Sequence, residues 1–143
     1  MYKLLAEAKQ RGVDVKIIND DDTLRTGKCD GGPLIDQNGQ DVNAFRTEKK
    51  AGIPVTFLET NGEVGQLAHN KFIVIDGKWL LQGAGNFTAT SLNVTNLGNM
   101  EDFYIIKVPE IVETYSKAWD YLRSISTPEN KHERSEEHTS ELQ

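Results

Sequence analysis

A short hairpin signal in the middle of the chain constrains the fold more than any other feature. Asp76-Gly77 separates a strand-like run at residues 67–75 from a second strand-like run at residues 78–82. An Asp-Gly pair between two such runs is typical of a two-residue turn, because both residues tolerate a positive φ. The sequence therefore predicts two neighbouring antiparallel strands, and any fold proposed for this chain must contain them.

The elements around the hairpin favour an α/β fold. Helix formers run from residue 3 to residue 11 and end at Gly12, and Pro109 opens a second helix whose apolar stripe reaches residue 125. Further strands are predicted at residues 13–18, 53–58 and 102–108, short helices at 43–50 and 88–92, and a long loop at 23–41. This order predicts a mixed β-sheet flanked by helices.

Length, charge and cysteine content exclude several classes of protein. A chain of 143 residues is long enough for one domain, and no apolar run approaches the roughly 18 residues of a membrane-spanning helix. Cys29 is the sole cysteine, so neither an internal disulfide nor a cysteine-based zinc cluster can form. The net charge of −6 argues against a general polyanion binder, although a few groups can still hold one phosphate. None of these features identifies the compartment, and no signal-peptide pattern is present in this chain.

The C-terminal segment differs in character from the rest. Residues 134–143 resemble the translation of a sequencing-adapter oligonucleotide, so we treat them as a processing scar. Part of the acidity comes from this segment, through Glu136, Glu137 and Glu141. We therefore expect a domain at residues 1–128 and a polar tail at residues 129–143.

The residues on either side of the hairpin form a set suited to phosphate chemistry. His69 and Lys71 are two apart on the predicted strand, so their side chains share a face. Gly83, Gly85 and Asn86 follow the return strand in a tight loop. A neutral imidazole can attack phosphorus near pH 7, while a lysine and an amide stabilise the phosphoryl oxygens.

These residues carry a resemblance to a known family. His69-Asn70-Lys71, four intervening residues, Asp76-Gly77 and then Gly83-Ala84-Gly85-Asn86 resemble the HxKxxxxD signature of the phospholipase D superfamily. Residues 4–18, 51–55 and 99–102 are also similar to that family, so the resemblance covers most of residues 3–125. The hairpin and the glycine-asparagine loop make the match more specific than the motif alone.

The resemblance implies a phosphodiesterase that uses no metal and no other cofactor and acts through a covalent phosphohistidine. His69 would attack phosphorus in one copy of the motif, and its counterpart would protonate the leaving oxygen and then activate water. Lys71 and Asn86 would bind phosphate oxygens, and Glu101 would orient a histidine. Asp76 would serve the turn, with Gly83 and Gly85 supporting the loop.

The family builds one active site from two copies of the motif, and this chain contains one copy. We therefore expect a homodimer, as in the single-motif nuclease members, or one half of a longer two-motif protein. Single-motif members also have a strand, a helix and a further strand ahead of the helix that begins here. We accordingly expect N-terminal strands that this chain does not contain.

Three functions remain open at this point. The first is nuclease-type hydrolysis of nucleic-acid phosphodiesters, and the second is a phospholipase D or phosphatidyltransferase half-domain that acts on phospholipids and so on lipid degradation. The third is a non-catalytic dimerisation or binding fragment, favoured by Ala84, where the family usually has Ser or Thr. Trp79, beside the hairpin turn, is either an exposed substrate contact or a packing residue.

Overall fold

The computed structural model describes residues 2–21, 50–60, 68–87 and 100–128. The predicted loop at 23–41, the predicted helix at 88–92, the tail at 129–143 and all but the last residue of the helix at 43–50 lie outside these ranges. The described residues divide into two compact units. One contains residues 69–87 and 100–124, and the other contains residues 2–21, 50–60, 68 and 125–128.

The first helix, α1 (Tyr2–Gln10), ends in a glycine cap. Gly12 has a φ of 90°, its N–H donates to the Lys9 carbonyl (3.0 Å), and the Val13 N–H donates to the Ala8 carbonyl (3.1 Å). This pair of bonds satisfies carbonyls that a helix end leaves without partners. The predicted strand at residues 13–18 begins too early for this reason, since its first residue still belongs to the helix cap.

Strand β1 (Ile17–Asp20) pairs in parallel with β2 (Val55–Leu58). Pro54, which has no N–H to donate, lies just before β2, and its carbonyl accepts from the Ile17 N–H (3.0 Å). On the other side of β2, Phe57 and Thr127 exchange two backbone hydrogen bonds of 2.8 and 2.9 Å. Phe57 is fully buried, so β2 contributes to the apolar core of its unit.

The second unit contains three antiparallel strands in the order β3 (Phe72–Ile75), β4 (Trp79–Gly83) and β5 (Phe103–Ile106). The predicted turn is confirmed: Asp76 and Gly77 have φ values of 53° and 61°, and the Lys78 N–H donates to the Ile75 carbonyl (3.0 Å). Ile75 pairs with Trp79, so Lys78 is one extra residue between the turn and the ladder.

The C-terminal helix α2 (Pro109–Ile125) packs against one face of this three-stranded sheet. The Phe72 ring meets the Tyr115 ring edge-on, with centroids 5.1 Å apart, and Leu80 and Val112 are fully buried. Helices packed on sheets confirm the predicted α/β class, although the described strands form two sheets and not one. No helix in the described ranges is long and apolar enough to cross a membrane.

The burial of the Phe57 ring leads to a prediction about stability. Phe57→Ala is expected to lower the free energy of unfolding by about 3–5 kcal/mol, because it removes a fully buried ring and leaves a cavity. Urea denaturation followed by circular dichroism measures the loss. Tyr121→Ala is the control, since that side chain is 64% exposed and its removal should cost no more than about 0.5 kcal/mol. Equal losses in the two variants would contradict the packing described here.

Candidate active site

Strand pairing places Lys71 beside the glycine loop. The Gly83 N–H donates to the Lys71 carbonyl (3.3 Å), which extends the β3–β4 ladder by one pair beyond Phe72. Gly83 in turn pairs with Phe103 of β5. Neighbouring residues of an extended chain point to opposite faces, and Phe72 contacts α2. Lys71 therefore lies on the face of the sheet that α2 does not cover.

Gly83 is required by the close approach of β5. A Cβ atom at this position would lie 2.4 Å from the Asp102 carbonyl oxygen and 2.7 Å from the Phe103 ring. Both contacts are shorter than atoms tolerate, and the first involves backbone that cannot move aside. The supporting role predicted for Gly83 thus has a steric reason within the sheet.

Gly85 makes room for Glu101. The Ala84 N–H donates to the Asp102 carbonyl (3.3 Å), which continues the β4–β5 register past the end of the strands. A Cβ atom at Gly85 would lie 2.9 Å from Glu101 Cγ and 3.1 Å from Glu101 Cδ. The half-buried Glu101 side chain therefore lies directly against the loop that carries Asn86.

His69 lies at the entrance to β3. Its side chain is exposed, and its carbonyl accepts a 2.8 Å hydrogen bond from the Lys71 ammonium. The prediction that both residues lie on a strand is wrong, because β3 begins at Phe72, although one backbone hydrogen bond extends the β3–β4 ladder to Lys71. The residue before His69 gives the reason for this late start of the strand, because the Ala68 N–H donates to the Asp20 carboxylate instead of to a neighbouring strand.

The loop with Asn86 is anchored by an aromatic contact that the sequence did not indicate. Asn86 is exposed, and the next residue, Phe87, stacks on Phe103 with ring centroids 5.9 Å apart and planes 29° apart. Phe103 also faces Gly83. The ring pair therefore holds the loop near the end of the sheet where Lys71 and Glu101 lie. Apolar residues next to an Asn in a tight loop are too common in sequences to have signalled this contact.

Asp76 and Trp79 lie at the other end of the hairpin. Asp76 adopts a positive φ in the turn, and the five residue steps along β3 separate it from Lys71 by roughly 16 Å. Trp79 is the first residue of β4 after the turn, and the Lys107 ammonium lies 3.8 Å from the centre of its ring. The structure thus brings Lys71, Gly83, Gly85, Asn86 and Glu101 to one end, with His69 adjoining, and leaves Asp76 and Trp79 at the opposite end.

The described residues do not bring three histidine, cysteine, aspartate or glutamate side chains together in a way that could hold a metal ion. The prediction of a site without a metal stays a prediction. The groups available for chemistry at this end of the sheet are the exposed imidazole of His69, the ammonium of Lys71, the amide of Asn86 and the half-buried carboxylate of Glu101.

Comparison with known proteins gives consistent results. Residues 1–123 match the family model described as "Cardiolipin synthase, PLD-like domain". A mitochondrial cardiolipin hydrolase of Chlamydomonas reinhardtii is 29% identical over 119 residues, which are 83% of this chain and 44% of the relative. A phospholipase D of Rickettsia bellii is 30% identical over 115 residues, which are 80% and 46% of the two chains. The chain spans just under half the length of these curated relatives.

One solved structure supports the fold. The crystal structure of a phospholipase D family member, Nuc, from Salmonella typhimurium aligns with a TM-score of 0.60. The alignment covers 88% of this chain and 70% of the other, at 23% sequence identity. At that identity the likeness is evidence for the fold alone.

The contact between Gly85 and Glu101 can be tested by a double-mutant cycle. Gly85→Ala is expected to cost about 1–3 kcal/mol of unfolding free energy, because the new methyl group meets the Glu101 side chain. In a Glu101→Ala background the cost should be smaller, since Cγ and Cδ are gone. Urea denaturation of the four proteins measures the coupling. Additive losses would show that the two residues do not meet.

The turn role of Asp76 predicts which substitutions it tolerates. Asp76→Asn and Asp76→Gly should leave the unfolding free energy within about 0.5 kcal/mol of the parent, because both residues accept a positive φ. Asp76→Val should cost about 1–3 kcal/mol, because a β-branched side chain is strained there. Thermal unfolding of the three variants makes the comparison. A loss in Asp76→Asn as large as that in Asp76→Val would mean that the carboxylate itself holds the turn.

Proposed function

Because the chain belongs to the phospholipase D superfamily, as a PLD-like domain, we propose that it hydrolyses phosphodiesters through a covalent intermediate on His69. The observation that supports this most directly is the convergence of Lys71, Asn86 and Glu101 at one end of the three-stranded sheet. His69 is exposed at the same end, where a phosphate could reach it.

The proposed reaction has two steps. A ring nitrogen of His69 attacks phosphorus, a nitrogen–phosphorus bond forms, and the bond to the leaving oxygen breaks as that oxygen takes a proton from a second histidine. Water then attacks phosphorus and gives a proton to the second histidine, an oxygen–phosphorus bond forms, and the nitrogen–phosphorus bond to His69 breaks. The products are an alcohol and a phosphomonoester, and both histidines return to their starting states.

The neighbouring groups would stabilise the charge that develops on phosphorus. The Lys71 ammonium bonds the His69 carbonyl in the structure, and its flexible side chain would exchange this partner for a phosphoryl oxygen. The Asn86 amide would donate to a second oxygen. The Glu101 carboxylate would accept a hydrogen bond from a histidine ring N–H and thereby orient the ring.

The second histidine must come from another copy of the motif. We propose that a second copy of this chain supplies its His69, so that each imidazole serves as nucleophile in one orientation and as general acid and base in the other. A second motif elsewhere in a longer protein would meet the same need. Two copies in one site are consistent with the single motif found here.

Nucleic acid is the substrate class we propose first, because the single motif resembles the nuclease members of the superfamily. Phospholipid is a second candidate, favoured by the names of the relatives, which are cardiolipin hydrolase and phospholipase D. Both classes present the same diester to the motif. The choice between them depends on contacts with the groups on either side of the phosphate.

Hydrolysis of bis-p-nitrophenyl phosphate by the full chain with EDTA present tests the reaction. We expect turnover that falls by about 10³-fold or more in His69→Ala, because the nucleophile is lost. His132→Ala is the matched control, since it removes a histidine of the tail and should leave the rate unchanged. Light scattering on the same samples should give the mass of a dimer.

The outcomes separate the three functions. Equal turnover by the parent and His69→Ala would overturn both enzymatic proposals and leave a binding module. For an active parent, kcat/KM on a short oligonucleotide is compared with kcat/KM on cardiolipin vesicles. Preference for the oligonucleotide supports the first substrate class, and preference for the vesicles supports the second.

A further inference from the structure

A carboxylate at the end of β1 binds the backbone immediately before His69. Asp20 is the last residue of β1, and its Oδ2 accepts a 2.5 Å hydrogen bond from the Ala68 N–H, 48 residues further along the chain. Asp20 and Ala68 belong to the same compact unit. The backbone immediately before His69 is therefore held by the side chain of Asp20, at the carboxyl end of β1.

Asp20 is itself part of a small polar layer. The fully buried Asp21 accepts from the Thr60 N–H (3.1 Å) and from the Thr60 hydroxyl (3.0 Å) at Oδ1. The same hydroxyl lies 3.3 Å from Asp20 Oδ2. A hydroxyl has one proton, and the shorter distance assigns it to Asp21. Thr60 thus binds Asp21 with both its N–H and its hydroxyl, and Asp20 Oδ2 accepts from the Ala68 amide.

Within the described residues, the segment around His69 is bounded by two backbone hydrogen bonds. The β3–β4 ladder reaches back to Lys71 and no further, so His69 and Asn70 lie outside it. The Ala68 bond is on one side of these two residues and the Lys71–Gly83 bond is on the other. A hydrogen bond from an amide to a carboxylate is stronger than one to a neutral acceptor.

From these contacts we infer that Asp20 is a positioning residue for His69. Its carboxylate holds the Ala68 amide and so sets the direction in which the backbone presents the imidazole. The inference rests on the proposed function of His69 as nucleophile. Displacement of a reacting group by about 1 Å can lower a rate by about 100-fold, so loss of this bond should reduce turnover even though Asp20 does not touch substrate.

The test compares three variants of the full chain on bis-p-nitrophenyl phosphate. Asp20→Ala should lower kcat by about 10- to 100-fold and leave KM within about twofold, because binding groups stay while the nucleophile shifts. Asp20→Asn should recover most of the rate, since its amide oxygen can accept the same N–H. Asp14→Ala is the matched control: it removes an exposed carboxylate bonded to Lys16 (2.6 Å) and should keep the parent rate.

Hydrogen exchange of the Ala68 amide provides a readout that does not need turnover. This amide should exchange at least about tenfold faster in Asp20→Ala than in the parent, and at close to the parent rate in Asp20→Asn. Thermal unfolding is measured alongside. If Asp20→Ala does not fold, Asp20→Asn and Asp20→Leu, which have similar size with and without an acceptor, replace it in the comparison.

Failure of this inference differs from failure of the proposed function. A parent without turnover would overturn the function and the positioning role together. An active parent whose kcat is unchanged in Asp20→Ala would overturn the positioning role alone. So would an Asn variant that stays as slow as the Ala variant while its Ala68 amide is protected, or a KM that rises while kcat is kept.

Discussion

The candidate site depends on the pairing of one strand, β4, with a neighbour on each side. Its register with β3 brings Lys71 to Gly83, and its register with β5 brings Glu101 to Gly85. The register with β5 requires two positions without a side chain, because a Cβ atom at Gly83 or Gly85 would meet β5 or the residues before it at 3 Å or less. The chemistry at this end of the sheet is therefore set by backbone pairing and by two glycines that permit it, before any catalytic side chain is considered.

The sequence predicted the central hairpin and the residues around it, because these depend on local chemistry. An Asp-Gly pair specifies its own turn, and the residues on either side follow from strand periodicity. Strand starts were harder to predict. The predicted start at residue 13 failed because Val13 completes a helix cap, and the start at residue 67 failed because Ala68 bonds Asp20. In both cases a hydrogen bond outside the strand overrode the local pattern.

The features of the candidate site that could not be predicted from the sequence depend on contacts between residues far apart in the chain. Glu101 is fifteen residues beyond Asn86, and strand pairing, not sequence distance, brings it to Gly85. The stacking of Phe87 on Phe103 and the bond from Ala68 to Asp20 also join residues that are far apart in sequence. The resemblance to the superfamily suggested Glu101 as a site residue, and the structure supplies the physical contact that holds it near the loop.

The spacing of the motif has a geometric meaning in this fold. The four residues between Lys71 and Asp76 are the strand β3, and one face of this strand packs on α2 through Phe72. The spacing of the motif thus corresponds to the length of one strand, with Lys71 just before its start and the positive-φ turn at Asp76 after its end. An inserted residue would reverse which face of the sheet each later side chain of β3 occupies, so a change in spacing would disturb the packing of this strand. Asp76 therefore contributes to the candidate site through the strand that it terminates, at the opposite end of β3 from Lys71.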